Sequence, residues 1–169
     1  MIEPDMSPLI LPIGALSLIF KLAVALTPGS LALHTSPAAV TATAAGYKPG
    51  DKLRQIDGVS LDKSRATLIV FVRESCGDCT ASMEFYKRLM SEEHRAKIVA
   101  LSYDAPDVIA RYLEKTGFTP DQAASIPDSG LKIDGTPTLL LVTPDLTIQK
   151  VWTGKLLARD EYDVTRAVR

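Results

Sequence analysis

Two near-continuous apolar runs, ATLIVFV (residues 66–72) and KIVALSY (residues 97–103), constrain this chain more than any other feature. Both are rich in β-branched and aromatic residues and neither alternates with polar positions, the pattern of strands buried on both faces. Between them, CTASMEFYKRLMSEEHR carries Met83, Tyr86, Leu89 and Met90 at helical spacing, with charges on the other side. Strand, helix and strand in that order make a βαβ unit, so the two runs are expected as parallel neighbours in one sheet.

The same reasoning extends toward the C-terminus. A second helix is expected over APDVIARYLEKTG, with Asp104 as its cap, Val108, Ile109, Tyr112 and Leu113 as its apolar face and Gly117 at its end. FTPDQAASIPDSG, with its prolines and small polar residues, reads as a loop or a broken helix. TLLLVT (138–143), the turn-forming PDL and TIQKVW (147–152) read as an antiparallel hairpin, and LARDEYDVTRAV (157–168) as a closing helix. The order β-α-β-α-β-β-α describes an α/β domain with a central mixed sheet flanked by helices.

The N-terminus is compositionally separate. Residues 1–27 form a hydrophobic leader or membrane anchor, residues 28–46 an Ala/Thr/Pro-rich linker, and residues 47–169 the globular domain. Ser7 to Leu26 is apolar apart from Lys21 and is about long enough to cross a bilayer core of ~30 Å if Lys21 snorkels to an interface. TATAA (41–45) offers a small-residue cleavage site, but it lies far downstream of Phe20, and Glu3 and Asp5 stand where a signal peptide carries positive charge. The expectation is a membrane-anchored protein whose domain lies outside the cytoplasm, in a periplasm; secretion after cleavage is the alternative. A formal net charge of -1 and an aromatic share of 6% give no electrostatic footprint for nucleic acid and no evident base-stacking surface.

ESCGDC (74–79), directly after the first apolar run, contains the only two cysteines of the chain. Two residues between cysteines at a helix start let the sulfurs approach bonding distance. The free N–H groups there favour a thiolate at the first, lowering a pKa that is otherwise about 8.5. A thiolate is the attacking species in disulfide exchange. On this reading Cys76 attacks a substrate disulfide and Cys79, more buried one helical turn later, resolves the mixed disulfide, with no metal and no organic cofactor beyond the Cys76–Cys79 disulfide itself. Zinc would need about four ligands, and the remaining candidates are His34 in the linker and His94 at the polar end of a helix. A purely structural bridge would close so short a loop that it restrains little unfolded-chain entropy.

The strand, then SCGDC, then the helix, with GTPT (135–138) further on, resembles the thioredoxin superfamily, and more narrowly its membrane-tethered or exported TlpA- and ResA-type redoxins. The resemblance covers roughly Tyr47 to Arg169. KPGDKLRQIDGVSLD (48–62) resembles that family's opening segment and VWTGKL its closing strand and turn. It implies a thioredoxin-like fold in which a proline in cis, here Pro137, faces the redox motif, and Thr136 offers its backbone to a substrate peptide. It also implies cysteine-containing exported proteins as partners and a membrane electron donor. Ser75, Gly77 and Asp78 would modulate the motif.

Several residues depart from the family pattern. Ser75 stands where a tryptophan usually precedes the first cysteine, and Val70 where thioredoxins carry a buried carboxylate. Ser82 and Glu84 replace the glutamate and proline of the TlpA-type helix start, although Met83 between them fits. Asp78 opposes thiol ionisation while the helix terminus favours it, which leans the expectation toward a reductase or electron carrier; equally, Asp78 complements the helix dipole. Two alternatives share the fold. A peroxiredoxin-like (AhpC/TSA-type) antioxidant protein would want Thr or Ser three residues ahead of the attacking cysteine, where this chain has Arg73. A copper metallochaperone would usually want a wider cysteine spacing and a downstream histidine, and none follows His94. A redox-inactive binding domain of the same fold is disfavoured by the intact cysteines.

Overall fold

The structure is a computed structural model that describes residues 46–127 and 129–169. The expected leader, and all of the expected linker except Gly46, lie outside the described residues. Among the described residues, no helix is long and apolar enough to cross a membrane.

Five strands form one sheet: β1 (Thr67–Phe71), β2 (Lys97–Ser102), β3 (Gln122–Ser125), β4 (Thr138–Val142) and β5 (Ile148–Thr153), in the order β3-β2-β1-β4-β5. β1 and β2 pair in parallel, as the βαβ pattern requires, with Thr67 beside Lys97 and Phe71 beside Leu101. β4 runs antiparallel to β1, and β5 antiparallel to β4 with a bulge between Leu141 and Val142. The sequence expectation had four strands. The fifth, β3, lies within the stretch read as a loop, because QAAS shows neither a hydrophobic run nor alternation; it takes its strand geometry from pairing with β2 over Val99–Ser102.

The helices are α1 (Gly77–Ala81), α2 (Met83–Ser91), α3 (Pro106–Thr116) and α4 (Ala158–Val168). The single helix expected after the cysteines is broken at Ser82, whose hydroxyl donates to the Asp78 carbonyl at 2.7 Å. It stops at Ser91, so His94 lies beyond it, with Nδ1 2.9 Å from the Glu92 carbonyl oxygen. Asp104 does not cap α3: Ala105 holds that position with no side-chain cap, and Pro106 opens the helix. Gly117 does end it, in the left-handed conformation at φ 71° that costs a glycine nothing.

All four helices pack on the same face of the sheet, where helices on both faces were expected. Leu68, Val70 and Val72 of β1 and the residue after it, with Leu139 and Leu141 of β4, meet Cys79, Met83, Tyr86, Leu89, Ile109, Tyr112 and Val164 in one cluster. The topology explains this. β1→β2 and β2→β3 are successive parallel crossovers in one direction, and right-handed crossovers in one direction put both connecting segments on one side. The alternate residues Ile69, Phe71, Val99, Leu101 and Leu140 face the other way. They are covered by irregular chain, contributing Leu53, Ile56 and Val59 from one segment and Ile126 and Leu131 from another. The first of these is the opening segment read from the sequence. It is stitched down by Lys52, whose Nζ lies 2.6 Å from Asp145 Oδ2.

Two contacts fix the closing helix. Asp163 on α4 accepts from Lys150 Nζ at 2.6 Å and from Trp152 Nε1 at 3.2 Å, both on β5. The Lys150 ammonium holds its carboxyl below the usual range. A group whose folded pKa is depressed stabilises above its unfolded pKa and loses that contribution as pH falls through the folded value. Asp163→Asn should therefore lower stability at neutral pH by up to about 1 kcal/mol. The gap to wild type should close as the pH falls below the unfolded aspartate value of about 3.9, in urea titrations at stepped pH. Leu140→Ala, at a fully buried position under the irregular layer, should cost about 2–5 kcal/mol, read as a drop in the urea midpoint at constant slope.

Candidate active site

The pairing of Phe71 with Thr138 builds the site. It makes the chain leaving β1 and the chain entering β4 emerge at the same edge of the sheet. Cys76 follows one of these and Pro137 precedes the other. The turn from β1 is held by Cys76 N–H donating to the Arg73 carbonyl at 3.2 Å. Cys76 then caps α1 with extended backbone, and its Sγ accepts from the Cys79 N–H at 3.0 Å.

Cys76 and Cys79 form a disulfide, their Cα atoms 5.2 Å apart. Their environments differ sharply. Cys76 is half-buried, whereas Cys79 is 0% exposed and packed in the helix-side core. Ser75, Gly77 and Asp78 are all exposed around them. Asp78 sits in the first turn of α1. The Cys76 Sγ lies 3.2 Å from the Thr136 carbonyl oxygen, and the Thr136–Pro137 peptide is cis. Thr136 is half-buried and Pro137 buried, its carbonyl accepting from the Gly154 N–H at 2.7 Å. Gly154, at φ 80°, turns the chain out of β5 so that this contact forms.

Behind the disulfide the core is apolar. Val70 is fully buried in the same cluster as Cys79. The buried polar residues among those described are Thr67, Ser82, Ser102 and Thr138, none of them acidic. The Tyr86 hydroxyl is buried without a hydrogen-bond partner, and burial pushes its pKa up. It is therefore a neutral phenol rather than a base for Cys79. Among the described residues, no group of three or more His, Cys, Asp or Glu could hold a metal ion.

The sequence reading missed one residue that contacts the site. Asp104, expected as a helix cap, instead directs its carboxylate at the redox turn: Oδ2 accepts from the Glu74 N–H at 2.7 Å and Oδ1 from Arg73 Nε at 3.2 Å. The only signal for it was position, since Asp104 lies two residues after β2, and β2 is the parallel neighbour of the strand that leads to the cysteines.

A mixed five-stranded sheet with a CxxC disulfide at the end of its central strand, facing a cis-proline, defines a thioredoxin-fold protein. No protein-family model and no curated protein matches the chain, but solved structures do. The thioredoxin domain of a thiol-disulfide oxidoreductase from Bacteroides vulgatus is similar at 21% identity and TM-score 0.57, over 73% of this chain and 100% of that one. StoA from Bacillus subtilis is similar at 15% identity and TM-score 0.54, over 63% of this chain and 84% of that one. A peroxiredoxin-like protein from Aquifex aeolicus is similar at 14% identity and TM-score 0.54, over 73% of this chain and 89% of that one. Likeness at this level establishes the fold and leaves the chemistry to the site.

The unequal burial has a direct chemical consequence. After reduction, iodoacetamide should modify Cys76 in the folded protein, while Cys79 should react only on unfolding. Peptide mapping with and without denaturant checks this; equal labelling of both thiols would contradict the packing described.

Proposed function

We propose that the chain is a thiol:disulfide oxidoreductase that exchanges disulfides with cysteine-containing exported proteins, working as a reductase or electron carrier. The observation that carries this reading is the pairing of a half-exposed Cys76 with a fully buried Cys79, next to the Thr136 carbonyl and Pro137.

In the reductive direction the Cys76 thiolate attacks one sulfur of a substrate disulfide. A Cys76–substrate disulfide forms and the first substrate thiolate leaves. Cys79 then loses its proton and attacks Cys76 Sγ; the Cys76–Cys79 disulfide forms and the second substrate thiolate leaves. Two electrons pass to the substrate, and the two released thiolates are protonated from solvent. The Cys79 N–H, 3.0 Å from Cys76 Sγ, is placed to stabilise the Cys76 thiolate at the start. Thr136 is the segment against which a substrate strand would pair. No metal or organic cofactor takes part. A membrane electron donor would restore the dithiol, with the domain outside the cytoplasm and anchored through the N-terminal segment. The exposed carboxylate of Asp78 in the first turn of α1 opposes a strongly stabilised thiolate, which is why the reductant end is preferred over the oxidant end.

Two measurements test this. Cys79→Ser should accumulate a mixed disulfide with an extracytoplasmic protein substrate, and Cys76→Ser should not. The couple, equilibrated against glutathione or dithiothreitol, should lie nearer about -270 mV than about -120 mV. Failure to find a reversible couple would overturn the reading. Consumption of peroxide by the reduced protein at a rate exceeding disulfide exchange would move it to the peroxidase alternative.

A further inference from the structure

Asp104 joins the ends of β2 and β3 to the redox turn. Its backbone N–H donates to Ser102 Oγ at the end of β2 at 3.0 Å, and its carbonyl accepts from Ser125 Oγ at the end of β3 at 2.6 Å. Its carboxylate, with a side chain only 11% exposed, takes the Glu74 N–H and the Arg73 guanidinium. The Arg73 carbonyl in turn accepts the Cys76 N–H. One carboxylate thus sets the position of the turn that presents Cys76 and pairs with its cation.

Charged side chains near the redox turn include Arg73 and Glu74 on the turn, Asp78 in α1 and Asp104 after β2, with Arg111 and Lys115 of α3 lining a depression beside Glu74. Of these cations, Arg73 is the one on the turn itself, and its ion pair is with Asp104. An unpaired cation beside a cysteine stabilises its thiolate. Stabilising the thiolate stabilises the reduced form and makes the couple more oxidising.

We infer that Asp104 is a positioning residue which, by neutralising Arg73 at the redox turn, keeps the Cys76–Cys79 couple toward its reducing end. This rests on thiol–disulfide exchange at that pair. The equilibrium concerned is protein disulfide plus two glutathione thiols giving protein dithiol plus glutathione disulfide, with two electrons and two protons moving together.

The test is a charge cycle on the full chain. Asp104→Asn keeps an acceptor for the Glu74 N–H but removes the negative charge. It should lower the Cys76 thiol pKa, followed by ultraviolet thiolate absorbance, and shift the glutathione equilibrium toward the dithiol by roughly threefold, about 14 mV at 29.6 mV per decade. Arg73→Gln should shift both quantities the opposite way, and the double variant should return toward wild type. A purely structural role would change the melting temperature while leaving potential and thiol pKa in place, and that result overturns the inference. So do shifts of the two single variants in the same direction. If Asp104→Asn does not fold, Arg73→Gln and the double variant decide by the same signs. A wild-type protein without any reversible couple would instead sink the oxidoreductase reading itself, and this inference with it.

Discussion

Everything at the redox edge depends on the antiparallel register between β1 and β4. Thr67 lies opposite Val142 and Phe71 opposite Thr138, so the chain that will turn into Cys76 and the chain that has just passed Pro137 meet at one end of the sheet. Slipping that register by one residue would turn Leu139 and Leu141 away from the helices and Leu140 toward them. The two buried faces of β4 enforce the register, since every residue from Thr138 to Val142 is buried. The geometry of the cleft is therefore a by-product of core packing: the hydrophobic contacts that hold the strands also place the Thr136 carbonyl oxygen 3.2 Å from the Cys76 sulfur.

The two layers around the sheet are built by different means. On one face, helices bring their own backbone hydrogen bonds and add apolar stripes to the core. On the other, irregular chain covers the strands and satisfies its backbone partly through scattered backbone bonds, such as Leu53 N–H to the Leu146 carbonyl at 2.8 Å, and partly through side chains. Asp134 takes the Gly46 N–H at 2.7 Å, Gln122 takes the Ser60 N–H at 3.1 Å and Arg54 reaches the Ser129 carbonyl at 2.8 Å. Both layers bury apolar surface, which is the main stabilising term in either case. They differ in how the polar groups left over are accommodated.

The parts of this arrangement visible in the sequence are those set by local pattern. The two long apolar runs, the amphipathic spacing of Met83, Tyr86 and Leu89, the glycine that ends α3 and the hairpin around residues 144–146 all follow from periodicity or turn chemistry, and the cysteine spacing pointed to the pair. What stayed hidden depends on partners distant in sequence. QAAS becomes a strand only because β2 offers a free edge. Asp104 looked like a cap because capping is the local use of an aspartate before a helix, whereas its carboxylate reaches 30 residues back to Glu74. The break at Ser82 turns on one hydroxyl folding back on the Asp78 carbonyl, a choice that helical periodicity does not register. The one-sided placement of the helices follows from strand order, which no single segment encodes.

The two unlike layers have a consequence for the cleft. Its sulfurs sit where the helical layer opens, with Cys76 capping α1, and Thr136 arrives from the irregular layer just before buried Pro137 and β4. The seam between the two covers therefore comes to the surface at the disulfide, and the cleft is the place where the two ways of building a cover meet.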